Sequence, residues 1–214
     1  MRDAMHKRIL YTAIALAFVL WYIMFVLRPF NFWAMMAFST SLLSLVVLWI
    51  GKPFADRGEW SWSNLWLGVT SALLLYAIFW AGNQGLILME RVVPGLFADR
   101  PQNLAAIYGN RGELAPHWVA LLLFFPVGFG EEFFWRGLVQ KHFAGTLGRW
   151  RGFLIATFLY TAVHFATGNY VLLLAALTCG LFWGALYAWR GHLFPVLLSH
   201  MLWDPLIFVL FPIQ

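Results

Sequence analysis

The sequence has little charge and almost no cysteine. Only 11% of its 214 residues are Asp, Glu, Lys or Arg, whereas 62% are hydrophobic. So small a charged fraction excludes a soluble domain of ordinary composition. The single cysteine, Cys179, excludes an internal disulfide, and its apolar neighbours in the sequence favour a packing role. The short alternating segments of a membrane β-barrel are missing as well.

The sequence does contain a series of long apolar runs, most of them near the length of about 20 residues that crosses a bilayer as a helix. We therefore predict an all-α fold, a polytopic transmembrane helical bundle of about seven spans, with six to eight as the range. The predicted spans are Ile9–Leu27, Phe32–Ile50, Leu65–Leu88, Trp118–Lys141, Gly152–Ala166, Tyr170–Trp189 and His192–Ile213. With no internal repeat, residues 1–214 are treated as a single integral-membrane domain. Residues 90–117 are predicted to be a polar loop.

The basic residues indicate how the chain is oriented, since cytoplasmic loops carry an excess of Lys and Arg. With the N-terminus inside, the inner side holds Arg2, Lys7, Arg8, Lys52, Arg57, Lys141, Arg149, Arg151 and Arg190, and the outer side holds Arg28, Arg91, Arg100 and Arg111. We therefore expect a multi-pass protein of a prokaryotic inner membrane with a cytoplasmic N-terminus. We interpret the net charge of +5 as a result of these basic loops, which set the topology of the chain. The expected partner is the lipid bilayer and not nucleic acid.

Three charges lie inside the fourth predicted span or at its end: Glu131, Glu132 and Arg136. Each costs about 2.5 to 3.5 kcal/mol at the bilayer centre, so each needs a partner. Glu132 and Arg136 are four residues apart, in the order that favours a helical ion pair. Glu131 points about 100° away and is predicted to face another neighbour. The alternative is that all three charges anchor the helix end at the water interface.

Two further spans carry ionisable residues at depth. Tyr160 and His164 are four apart in the fifth span, and His200 and Asp204 are four apart in the seventh, so each pair shares a helix face. A lone histidine in a bundle is usually a packing residue. Two histidines, an aspartate and a spare glutamate on three spans instead predict one shared polar cavity.

Such a cavity can support several functions. A buried carboxylate beside an imidazole can activate water, and a second histidine can stabilise an oxyanion, which together hydrolyse an amide. Zinc is an alternative, because Glu131, His164, His200 and Asp204 are ligands of the right kind, although no His-Glu-x-x-His motif is present. A non-catalytic membrane scaffold or immunity-type protein is the other alternative.

Three motifs resemble those of a known family. Glu-Glu-x-x-x-Arg at 131–136, aromatic-x-x-x-His at 160–164 and His-x-x-x-Asp at 200–204 occur in this order on successive predicted helices. Together they resemble the CAAX-protease and bacteriocin-processing (CPBP) family of intramembrane glutamate endopeptidases. The resemblance covers the segment from Trp118 to Pro212, where all the predicted catalytic motifs lie.

The resemblance implies an intramembrane protease that needs no cofactor and acts on a membrane-associated peptide or protein. It implies that Glu131 activates the water with help from His164, and that His200 and the residue at position 204 form the oxyanion site. It also implies supporting roles for Glu132 and Arg136, with Tyr160 in the place of a phenylalanine. The best-studied members have asparagine at position 204, and an ionised aspartate there repels an oxyanion. Asp204 is therefore protonated, orients His200 through a carboxylate–imidazole bond or helps to hold a metal, and the second role needs the mildest assumption.

Overall fold

The computed structural model describes residues 2–54 and 57–213, without the side chains of residues 2–4 and 57. Arg2 and Arg57 of the predicted inner group therefore lie outside the described side chains. The helices are α1 Arg2–Tyr22, α2 Phe32–Ile50, α3 Trp62–Val92, α4 Arg100–Gly109, α5 Pro116–Leu122, α6 Phe129–Phe134, α7 Lys141–Leu147, α8 Arg149–Ala162, α9 Tyr170–Arg190 and α10 Phe194–Pro205. The described residues contain no strand. The prediction of an all-helical polytopic bundle is confirmed.

Five helical stretches are long and apolar enough to cross a membrane. They are Met5–Leu27, Phe32–Ile50, Trp62–Val92, Pro116–Leu147 and Tyr170–Arg190. The fifth and seventh predicted spans are shorter helices. α8 has 14 residues and ends at Ala162, so at 1.5 Å per residue it is about 21 Å long, less than the hydrocarbon thickness of about 30 Å. The predicted end of that span at Ala166 was therefore wrong.

The third predicted span is longer than expected and continuous. Glycines lie at positions 82 and 85 of the predicted span, but α3 runs unbroken from Trp62 to Val92. Ser61 caps its start by accepting a hydrogen bond from the Asn64 backbone. A continuous helix satisfies the backbone groups that lipid cannot, which outweighs the weak helix propensity of two glycines.

The fourth predicted span is not one regular helix. Between α5 and α6, Leu123–Gly128 forms a π-helical turn in which Phe125 has extended torsion angles (φ −153°, ψ 128°). Pro126 lacks a backbone N–H and so interrupts the helix. A second π-helical turn, Trp135–Gln140, separates α6 from α7. The short helix α6, which begins just after the break, carries Glu131 and Glu132.

Residues 90–117 are not only a loop, because they contain the ten-residue helix α4. Pro101 lies in its first turn, where the missing N–H costs nothing. The Tyr108 hydroxyl donates to the Ile207 carbonyl (3.1 Å), and Asn169 donates to the Asn103 carbonyl (2.8 Å). Burial raises the pKa of Tyr108, which keeps its hydroxyl protonated. α4 is thereby attached to one end of the bundle.

Basic residues of the predicted inner group, among them Lys141 and Arg190, lie at the opposite end of the bundle. The Lys141 ammonium donates to the carbonyls of Lys52 and Pro53, and the Arg190 Nε donates to Asn64 Oδ1 (2.7 Å). Lys141 therefore lies beside the Lys52 segment, and Arg190 lies beside the start of α3. Which end faces the cytoplasm stays a prediction.

Gly152 marks the closest approach of α7 and α8. A Cβ at this position would lie 2.3 Å from the Ala144 backbone nitrogen and 2.6 Å from its Cα. Because the obstacle is backbone, we expect Gly152→Ala to lower the free energy of unfolding by about 1 to 3 kcal/mol. Gly145→Ala is the matched control, since a Cβ there meets nothing within 4 Å. Thermal unfolding of both variants in detergent checks the prediction, and equal midpoints would contradict it.

Candidate active site

Glu131 is held inside the bundle by α2 and α8. Gly130 lets α6 approach α2 closely, since a Cβ there would lie 2.8 Å from the Thr40 Cβ. The Glu131 side chain is buried, and its Oε2 accepts a hydrogen bond of 3.0 Å from the Tyr160 hydroxyl on α8. The prediction that Glu131 faces a different neighbour from Arg136 is consistent with this contact. This partner is neutral, and no ion pair among the described residues includes the Glu131 carboxylate.

Glu132 and Arg136 form the predicted ion pair. Arg136 Nη1 lies 3.0 Å from Glu132 Oε1, and both residues are at most 1% exposed. The other end of the guanidinium lies 3.4 Å from the carbonyls of Cys179 and Gly180 on α9, and its carbon lies 4.8 Å from the centre of the Tyr160 ring. The pair therefore connects α6 to α8 and α9 rather than anchoring a helix end in water.

His200 lies between two carboxylates. Its Nδ1 is 2.9 Å from Glu132 Oε1, and its Nε2 is 3.3 Å from Asp204 Oδ2. Trp183 on α9 stacks on the ring, with centroids 3.8 Å apart and planes inclined by 19°. A ring with a carboxyl group beside each nitrogen can donate to both of them only in its cationic form. The contact with Asp204 is the one expected from the sequence, whereas the contact with Glu132 was not foreseen.

His164 has a different environment from His200. It follows the last turn of α8, its Nδ1 lies 2.9 Å from the Tyr160 carbonyl, and its Nε2 accepts from the Trp21 indole N–H on α1 at 3.2 Å. A carbonyl only accepts and an indole only donates, so the proton is on Nδ1 and the lone pair is on Nε2. This imidazole is neutral, and both of its nitrogens are occupied.

The predicted site residues line one cavity of about 390 Å³. Its polar end holds Glu131, Tyr160, His164, His200 and Asp204. The rest is lined mainly by apolar side chains of the π-helical turn Ile23–Leu27 and of α2, α3, α4 and α9, among them Phe25, Met36, Phe79, Leu104 and Leu172. The sequence therefore identified side chains that the fold brings together, and α4 covers the far end of the space they share.

The zinc alternative finds no support in the arrangement of these side chains. Across residues 2–54 and 57–213, no group of three or more His, Cys, Asp and Glu residues is placed to hold one ion. The four candidate ligands, Glu131, His164, His200 and Asp204, share the cavity, but both nitrogens of each histidine already contact protein groups. The absence of a cofactor stays a prediction.

Comparison with known families agrees with the three motifs. Residues 113–206 match the family model described as "Rce1-like: Type II CAAX prenyl endopeptidase Rce1-like". The predicted family is confirmed over this segment. The match supports a peptidase of an integral-membrane type. No curated protein and no solved structure was found to match the chain.

Two residues that sequence reasoning missed contact the site histidines. Trp183 lies within the Rce1-like segment, whereas Trp21 lies on α1, far outside it. Trp21 is 1% exposed and Trp183 is fully buried. The only available signal was an indole N–H in the middle of an apolar run, which needs a hydrogen-bond partner when buried. Thirteen tryptophans carry that signal, and it does not say which of them reach the site.

Proposed function

We propose that this protein is an intramembrane endopeptidase that hydrolyses a peptide bond of a membrane-associated peptide or protein through a water activated by Glu131. One observation carries the proposal: the buried side chains of Glu131, His164, His200 and Asp204, from three separate parts of the chain, line one cavity. Buried ionisable groups inside a membrane bundle are costly and mark functional sites by default. The Rce1-like match names the same reaction class.

Glu131 is the base in this mechanism. A water beside its carboxylate gives up a proton to it while the water oxygen attacks the substrate carbonyl carbon. The carbonyl electron pair moves to oxygen and forms an oxyanion. When the tetrahedral intermediate collapses, the carbon–nitrogen bond breaks and Glu131 returns the proton to the amine. His164 assists if the attacking water replaces Trp21 as the donor to Nε2.

His200 stabilises the developing negative charge chiefly through its own positive charge. Its two N–H groups point at Glu132 and Asp204. The charges of the two carboxylates beside the ring are balanced by the ring and by the Arg136 guanidinium, so an oxyanion near this ring gains electrostatic stabilisation without a direct hydrogen bond. Asp204 and Glu132 then orient the ring. An aspartate at position 204 suits this orienting role better than it suits direct contact with an oxyanion.

The substrate is expected to reach the cavity from the bilayer. The cavity is apolar apart from the carboxylates, the histidines and a few amides and hydroxyls, so an uncharged segment near the scissile bond suits it. The name of the matched family suggests a prenylated CAAX tail as the first substrate to try. We place the protein in a prokaryotic inner membrane with its N-terminus in the cytoplasm.

A cleavage assay with purified protein in detergent tests this function. The substrates are a library of unmodified peptides and a peptide whose S-farnesylated cysteine is followed by three C-terminal residues. We expect products that are lost in Glu131→Ala and kept in Lys52→Ala, whose side chain is exposed. Cleavage that survives Glu131→Ala would refute the mechanism. Absence of products from every peptide with folded wild-type protein would favour the scaffold alternative.

A chelator in the same assay distinguishes the zinc alternative from a mechanism in which Glu131 activates the water without a metal. With water activated by a carboxylate alone, we expect turnover to survive EDTA, and metal analysis of the active protein to find less than one equivalent of zinc. Turnover lost with EDTA and restored by zinc would instead assign the cavity side chains to a metal.

A further inference from the structure

The hydroxyl of Tyr160 has a place in the reaction that the resemblance does not give it. It is the group with a described hydrogen bond to Glu131, at 3.0 Å, and its side chain lines the cavity. The motif asks only for an aromatic ring at position 160, so the hydroxyl is an addition to it. The inference below rests on the proposed function.

The other donors at the polar end of the cavity are committed elsewhere. His200 directs one nitrogen to Glu132 and the other to Asp204. His164 has its proton on the nitrogen that faces the Tyr160 carbonyl. Neither histidine therefore presents a free N–H to an oxyanion.

The acceptor of the Tyr160 hydroxyl changes during the reaction. Before the attack it is the Glu131 carboxylate. Once Glu131 has taken the proton from water, that oxygen is part of a neutral acid and accepts more weakly, since a charged acceptor makes a hydrogen bond about twice as strong. At the same moment a full negative charge appears on the substrate oxygen nearby.

We propose that Tyr160 is a catalytic residue whose hydroxyl turns from Glu131 to the oxyanion and donates a hydrogen bond to it in the tetrahedral intermediate. The hydroxyl keeps its proton throughout. Water supplies oxygen to the carbonyl carbon and one proton to Glu131, and the leaving amine receives that proton when the carbon–nitrogen bond breaks. The hydroxyl returns to the Glu131 carboxylate when the cycle closes.

Tyr160→Phe tests this proposal with the farnesylated peptide as substrate. The phenyl ring keeps its place over the Arg136 guanidinium, so the fold is preserved. Loss of one oxyanion donor lowers kcat by about 10²- to 10³-fold, and we expect KM to change by less than about 3-fold. Tyr187→Phe removes a hydroxyl from another buried tyrosine that does not line the cavity, and its kcat should match the wild type.

A phosphinate in place of the scissile amide separates catalysis from positioning. It carries a tetrahedral centre with a negative oxygen, so its affinity for Tyr160→Phe should fall by the same factor as kcat/KM. If Tyr160 only orients Glu131, kcat falls but phosphinate affinity holds, and the proposal is wrong. Full turnover in Tyr160→Phe also overturns it, while Glu131→Gln independently reports whether the proposed function itself stands.

A rival donor is included in the same experiment. The indole nitrogen of Trp203, a residue that lines the cavity, has no hydrogen-bond partner among the described residues. This nitrogen is itself inaccessible, so we expect Trp203→Phe to lose less phosphinate affinity than Tyr160→Phe does. Affinity lost in Trp203→Phe and kept in Tyr160→Phe would assign the oxyanion contact to the tryptophan and refute the proposal.

Discussion

Glu131→Gln is expected to lower kcat by about 10³- to 10⁴-fold while the protein stays folded. Glutamine has the size of glutamate and still offers an oxygen to the Tyr160 hydroxyl, but it cannot take a proton from water. The only hydrogen-bond partner described for the Glu131 carboxylate is this neutral hydroxyl, so the substitution strands no buried cation. Activity is therefore expected to fall without a matching loss of stability.

Two measurements check this expectation. Turnover of the farnesylated peptide gives kcat, and thermal unfolding in detergent gives the midpoint, which should stay within about 3 °C of the wild type. Glu113→Gln makes the same chemical change at an exposed position and should alter neither quantity. A Glu131→Gln protein that turns over as fast as the wild type would remove the base from the mechanism.

Much of the site could be predicted because its parts lie close together along the chain. Helical spacing alone put Glu132 beside Arg136 and His200 beside Asp204, and the structure has both contacts. The energetic cost of ionisable groups in lipid then predicted that the separate spans would share a cavity. These inferences needed only the residue order and the period of a helix.

The remaining contacts depend on tertiary packing, which spacing does not encode. Glu132 reaches His200 across 68 positions, and Trp21 reaches His164 across 143. Pro126 is visible in the sequence, but Trp118–Lys141 was predicted as one span, and neither the extended Phe125 nor the short α6 was foreseen. Apolar composition likewise could not show that α8 is too short to cross a bilayer alone. The length of a helix depends on where the chain turns, and an apolar run does not specify that position.

The two adjacent acids of α6 are expected to differ in how much stability the protein loses when each is replaced by glutamine. Glu132 Oε1 contacts both the Arg136 guanidinium and His200, all of them buried. Glu132→Gln leaves the guanidinium without a counter-charge, and removing one partner of a buried ion pair costs about 3 to 5 kcal/mol. For a chain of this size we expect the unfolding midpoint to fall by about 10 °C. Turnover should fall as well, because His200 loses one of its two carboxylates.

The double variant Glu132→Gln/Arg136→Met separates the buried charge from the chemistry. Methionine fills part of the space of arginine without its charge, so the double variant should be more stable than Glu132→Gln alone, and the difference from additivity gives the coupling between the two side chains. Its turnover should stay low, because His200 still lacks the Glu132 carboxylate. A Glu132→Gln protein that is as stable as the wild type and inactive, beside an active Glu131→Gln, would show that the two acids have exchanged roles.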